Sequence, residues 1–178
     1  MLKLQKIAKP AADEYAAYAG IYVELTPDDG MVLDDLAESA ANVEKLFRAQ
    51  PEERLLHRYA PGKWTMKEVL AHLTDDDRIY AYRALRFARN DATELPGYDQ
   101  ELFAANSNAN TRPLDDLLGE YARTRRSTID LFNSFTDEAL LRRGKADGSS
   151  VTVRGLAYHL LGHEMRHVNI LRERYGAK

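Results

Sequence analysis

Apolar residues recur at helical spacing through four long stretches of this chain, and no stretch shows sustained two-residue alternation. The first runs from Met31 to about Ala49, with Val32, Leu36, Ala40, Val43 and Phe47 on one stripe. The second begins after Trp64 with the capping-box pattern Thr65-Met66-Lys67-Glu68 and continues to about Asn90. The third starts near Pro113, where Asp115 and Asp116 suit the positive end of a helix dipole, and its stripe runs from Leu114 through Tyr121 to Phe135. The fourth follows the turn at Gly148-Ser149-Ser150, spans about Thr152 to Tyr175 and stops at Gly176. Helices this long bury an apolar stripe best against one another, so the expected fold is all-α, a four-helix bundle. A chain of 178 residues without repeats or charged linkers reads as one domain over 1–178, an N-terminal arm over 1–30 and the bundle over 31–176.

Two segments do not fit that pattern. The arm is punctuated by Pro10, Gly20, Pro27 and Gly30, yet Tyr15, Tyr18 and Tyr22 fall at helical spacing and predict a short helix. The connection over 91–112 contains LPGYD and AANSNANT. It is longer than bundles usually need, which predicts a lid, a binding loop or disorder.

The residue types narrow the chemistry. There are five histidines and no cysteine, which excludes disulfides, zinc ribbons, haem attachment and a cysteine nucleophile. A metal site could use only His, Asp and Glu. The formal net charge is −3, with cations scattered among acids, so no nucleic-acid footprint is present. The longest uncharged run is ten Asn-rich residues, Leu102 to Thr111, too short and too polar to span a membrane. The N-terminus reaches an acid before an apolar signal core develops, so a cytoplasmic protein without membrane partners is expected.

Polar residues interrupt two of the apolar faces. On the fourth helix Leu156, Leu160, Ile170 and Leu171 share a face, and His163 and His167 sit within it, about 40° apart. Imidazoles at i and i+4 project in parallel and can share one metal ion. Glu164 also falls toward the buried side, while His159 lies on the edge. On the second helix Asp76 falls inside the arc of Val69, Leu73, Tyr80, Ala84 and Phe87, with His72 on its flank and Asp75 beyond. A buried carboxylate or imidazole costs several kcal/mol unless it is paired or metal-bound. His57 reads as an ordinary surface residue.

His163-Glu-Met-Arg-His167 also spells H-E-x-x-H, the zincin signature of two ligands and a glutamate base. Zincins take their third ligand downstream, and only eleven residues follow His167 here. A protease is not expected.

The blocks PGKWTMKEVLAHLTDDDRIYAYRALRFARND, LPGYD, TRPLDDLLGEYARTRRSTIDLF and SVTVRGLAYHLLGHEMRHVNILRERYG closely resemble the DinB-like (DinB/YfiT-like metalloenzyme) superfamily. The likeness covers nearly the whole chain, including the AADEYAAYAGIYVEL arm. It implies an up-down-down-up bundle and a divalent metal, often nickel or zinc, held by three histidines. Carried onto this chain, those are His72, His163 and His167. Many members have a further His just before the last ligand, where this chain has Arg166. The family's H-L-x-D pattern points to Asp75 as the accompanying acid, whereas the helical projection favours Asp76. Both, with Glu164, are candidates for a base or for orienting a ligand.

Three neutral imidazoles leave coordination positions open, the arrangement of a catalytic site. Characterised members of the superfamily include transferases and isomerases that use small cellular thiols. The leading expectation is therefore a metal-dependent thiol S-transferase acting on a small-molecule substrate, with a low-molecular-weight thiol as cosubstrate. Arg83 or Arg86 would then hold an anionic group, unless both form surface ion pairs. A metal-dependent hydrolase and a non-catalytic metal-binding or stress-response module are the alternatives. A homodimer is compatible with such a bundle.

Overall fold

A computed structural model describes residues 3–177. Four long helices form the bundle: α1 (Val32–Arg48), α2 (Met66–Ala88), α3 (Leu114–Asn133) and α4 (Val153–Tyr175). Their ends lie within one or two residues of those expected from periodicity, because the cap signals are real. The Thr65 hydroxyl accepts from the Glu68 amide and the Glu68 carboxylate accepts from the Thr65 amide, closing the box that starts α2. Thr152 caps α4 by accepting from the Gly155 amide, and Gly176, at φ 64°, ends it in the left-handed region.

The order is up-down-down-up. Lys67 reaches the Arg112 carbonyl, Arg125 meets Asp77, and Arg89 lies over Phe135, so α2 and α3 run parallel from start to end. The Tyr175 hydroxyl donates to the Trp64 carbonyl while His159 stacks on Tyr80, so α4 runs antiparallel to α2. Arg48 pairs with Asp115, which sets α1 antiparallel to α3. Helices α1 and α2, like α3 and α4, therefore sit on diagonals of the bundle, and each packs against the other pair.

Two apolar clusters fill the interior. One gathers Leu33, Leu36, Phe87, Phe132 and Leu156 and the other gathers Val43, Phe47, Leu70, Leu117 and Leu171. Between them Asp77, Arg125 and Glu164 are buried and polar, and Asp76, His72 and His163 are buried beside them. The histidines thus occupy the level of the bundle where apolar packing gives way.

Among the described residues, both irregular segments carry local structure. A hairpin absent from the sequence-based expectation pairs β1 (Arg143–Ala146) antiparallel to β2 (Ser149–Thr152) across Asp147 and Gly148, both at positive φ. Each strand has only four residues and little apolar alternation, but Asp-Gly was the available signal. Leu95 bridges to Ala146, so the hairpin anchors the connection between α2 and α3. That connection then forms a helix, Gln100–Asn106, capped by Asp99, followed by a 3-10 turn at Ala109–Thr111. In the arm, the tyrosine spacing does not produce one helix. Two 3-10 turns precede the four-residue helix Gly20–Val23, which packs on α4.

Candidate metal centre

His72 comes from the second turn of α2, and His163 and His167 from successive turns of α4. Their Nε2 atoms converge. His163 Nε2 lies 3.2 Å from that of His72 and 3.1 Å from that of His167. A ring nitrogen has one lone pair or one hydrogen, so a single Nε2 cannot satisfy both neighbours as a regular hydrogen-bonding partner. The spacing instead resembles the edge of a coordination shell, since metal–nitrogen bonds of about 2.0–2.1 Å in a tetrahedron give edges of roughly 3.3–3.4 Å. These three residues could hold a metal ion.

Burial prepares them for that role. It pushes His72 down to about 4, reinforced by the neighbouring His163, and it pushes His167 well below the ordinary imidazole value. Both rings are therefore neutral near pH 7, with lone pairs available.

Asp76 stands on the other side of His163. Its Oδ2 is 3.2 Å from His163 Nδ1, and its Oδ1 accepts from the Tyr98 hydroxyl at 2.9 Å. Burial works to raise this carboxyl, but the neighbouring His163, with His159 and His72 nearby, holds it well below the usual carboxylate value. A proton on Nδ1 facing Asp76 leaves Nε2 free to ligate. His159 sits behind this pair, with its Nε2 3.9 Å from Asp76 Oδ2 and its ring stacked 4.1 Å from that of Tyr80. Asp76, His159 and His163 also lie within reach of a single ion, but that set would require the nitrogen of His163 that faces Asp76.

The other candidates lie elsewhere. Glu164, considered as a base, is fully buried and turned toward α3: Arg125 donates to both its oxygens, at 2.8 and 3.1 Å, and the Tyr121 hydroxyl donates to Oε2. The helical wheel placed it correctly on the buried side but could not show which neighbour it would meet. Asp75 faces Arg78 at 3.5 Å on the α2–α3 side, and Asp76 is the acid beside His163. Arg86 forms the expected surface pair with Asp91. Arg83 does not: it is buried, donates to the Pro96 carbonyl at 3.1 Å and lies over the Tyr80 ring. His57 is exposed, as expected.

A cavity of about 320 Å³ opens beside His163 and His167, lined also by Tyr22, Tyr59, Trp64, Glu101, Arg166 and Tyr175. Sequence reasoning assigned none of these wall residues. Trp64 belongs to the PGKW block and Tyr98 to LPGYD, so both motifs were visible, but their distance along the chain from α4 concealed their role. Trp64 approaches His72 with ring centroids 4.8 Å apart and lies nearly parallel to His167 at 6.4 Å.

The chain is thus a four-helix bundle in up-down-down-up order with a histidine triad shared by two facing helices. The DinB superfamily profile matches residues 35–171, and the chain belongs to that superfamily. Among solved structures it is similar to YfiT from Bacillus subtilis, described as a probable metal-dependent hydrolase with an unusual four-helix bundle topology. The two share 17% identity at a TM-score of 0.72, over 89% of this chain and 99% of that one. No curated protein matches the sequence. Among the described residues, no helix is long and apolar enough to cross a membrane.

Proposed function

We propose that His72, His163 and His167 hold a divalent metal ion and that the protein is a metal-dependent enzyme acting on small molecules. The observation that carries this reading is the convergence of three Nε2 atoms, from buried His72 and His163 and half-buried His167, at 3.1 and 3.2 Å beside an accessible cavity. Bound there, a zinc or nickel ion would lower the pKa of a coordinated thiol or water and so supply a nucleophile near neutral pH. Asp76 orients His163, the bundle holds the three rings at fixed spacing, and the aromatic walls exclude bulk water from one side of the cavity.

The preferred reaction is transfer of a small cellular thiol to an electrophilic substrate. The chain contains no cysteine, so the sulfur would arrive with the cosubstrate. Glu164 is occupied by Arg125, which leaves no glutamate base in the H-E-x-x-H sense. Hydrolysis is the second reading. It is favoured by Glu101, a carboxylate on the cavity wall, and by the description of YfiT as a hydrolase. His159 faces Asp76 rather than the triad, so it does not fill a fourth position in the manner of a purely structural site.

Metal analysis of untagged protein tests the premise. One equivalent of ion in the native protein and none in a folded His163→Ala, His167→Ala variant is expected; no ion in either overturns it. Incubation of the loaded protein with monochlorobimane and a panel of thiols then separates the reactions. Metal-dependent conjugation supports transfer, whereas ester or amide cleavage without conjugation supports hydrolysis.

A further inference from the structure

The cavity beside the triad has flat walls and an unbalanced rim. Trp64, Tyr22, Tyr59 and Tyr175 supply aromatic surface, with Ile21 and Ile170 between them. Lys63 and Arg166 are the cations on the lining; both are exposed, and neither side chain forms an ion pair or hydrogen bond among the described residues. Glu101 is the carboxylate on that lining, and it accepts from the Trp64 indole N–H at 2.9 Å. Many other arginines are engaged, for example Arg48 with Glu44 and Asp115, Arg78 with Glu120, and Arg154 with Glu14.

The two cations come from different elements. Arg166 is three residues beyond His163 on α4, so it projects from the strip of helix adjoining the ligand face. Lys63 precedes Trp64 in the loop that leads into α2. An occupant of the cavity would thus meet positive charge at its mouth and flat carbon surface along its length. The histidines on the lining carry no negative charge to compensate.

We propose that the cavity binds a small molecule with a flat aromatic or unsaturated body and an anionic end, most simply a carboxylate. Its body lies along Trp64 and Tyr22, and its anionic end is held by Arg166 with Lys63 alongside. Guanidinium suits this task because its planar fork meets both oxygens of a carboxylate, while the lysine adds a mobile point charge. As a substrate class, this assignment rests on the reading of the triad as the reacting centre. As a binding site, it stands independently of the metal.

Trp64 is the only tryptophan in the chain, so its fluorescence reports occupation of the cavity directly. Phenylacetate and its neutral counterpart phenylacetamide are titrated into the protein as purified and again after chelation of metal. Phenylacetate is expected to bind about tenfold more tightly in both forms, a preference that weakens with added salt. Arg166→Gln should abolish most of that preference and leave phenylacetamide binding unchanged, and Lys63→Gln should reduce it by a smaller factor. Circular dichroism checks that both variants remain folded. Equal binding of the two probes overturns the proposal. So does a preference that survives both substitutions and vanishes on chelation, because the carboxylate would then sit on the ion rather than at the rim. If the protein takes up no divalent ion but the arginine-dependent preference holds, the anion site stands and the metalloenzyme reading falls.

Discussion

Asp76 Oδ2 lies 3.2 Å from His163 Nδ1, on the opposite side of the ring from the nitrogen that meets His72 and His167. The carboxylate favours a proton on Nδ1 by its charge, although Oδ2 completes no hydrogen bond among the described residues. Tyr98, from the connection between α2 and α3, holds the carboxylate in turn. Loss of such an orienting partner typically weakens a metal site by about 10–100-fold. Asp76→Ala is expected to reduce affinity by that factor, measured by competition with a chromophoric chelator, while helicity is retained. Asp76→Asn keeps an accepting oxygen and should lose less. Unchanged affinity in the alanine variant would remove Asp76 from the site.

Glu164 and Arg125 give a different expectation. Arg125 is buried between Glu164 and Asp77, so Arg125→Met would leave two carboxylates in the interior without their cation. Breaking a buried pair in this way costs about 3–5 kcal/mol, and urea denaturation should show a loss of that order. Glu164→Gln retains part of the hydrogen bonding and should cost less. If Glu164→Gln instead kept full stability and metal content but lost turnover, Glu164 would be acting as a base after all.

Gly162 permits the arm to touch α4 immediately before the first ligand of that helix. A Cβ at this position would lie 2.1 Å from the Tyr22 carbonyl oxygen, a contact that only backbone movement could relieve. Gly162→Ala should therefore destabilise the protein by roughly 1–3 kcal/mol and displace Tyr22 from the cavity wall. Thermal melts report the first effect and amide exchange over the arm reports the second. Unaltered stability with unaltered exchange would contradict the close packing.

Acid should destabilise the metal-free protein from an unusually high pH. In the unfolded chain, His72 and His159 take protons near 6.5; burial in the folded protein lowers those values to about 4 and about 3. Between these limits the unfolded state binds more protons, so stability falls as the pH drops below about 6.5. Glu14 acts in the same direction at lower pH, because hydrogen bonding with Arg154 lowers its pKa from 4.5 to about 2. Melts of chelator-treated protein from about pH 8 to 4 should show a falling midpoint, and His159→Gln should make its onset less steep. A midpoint that rises on acidification would refute the assignment of buried neutral histidines.

The sequence carried the helices because their signals are local. Periodicity, the Thr65–Glu68 box and Gly176 act over one to a few turns, so α1 to α4 could be placed without knowing their neighbours. His163 and His167 were legible for the same reason, being one turn apart on a single helix. His72 lay on the flank of its own stripe beside Asp76, so the helical projection offered it as a third histidine and the family resemblance implied the same set. The hairpin was not legible, nor was the choice among lid, binding loop and disorder for the connection, because contacts such as Leu95 with Ala146 join residues far apart in the chain.

Helical phase determined which side chains of this protein face inward, and so identified the buried histidines, Asp76 and Glu164 as residues needing polar partners. Tertiary structure alone decided what those partners are. The antiparallel packing of α4 on α2 brings His72 to His163 and Asp76 to the opposite ring nitrogen, while α3 delivers Arg125 to the neighbouring Glu164. Adjacent residues on one helix consequently enter different environments. The direction a side chain takes is a local property of its helix, but its chemistry is set by the helices it faces.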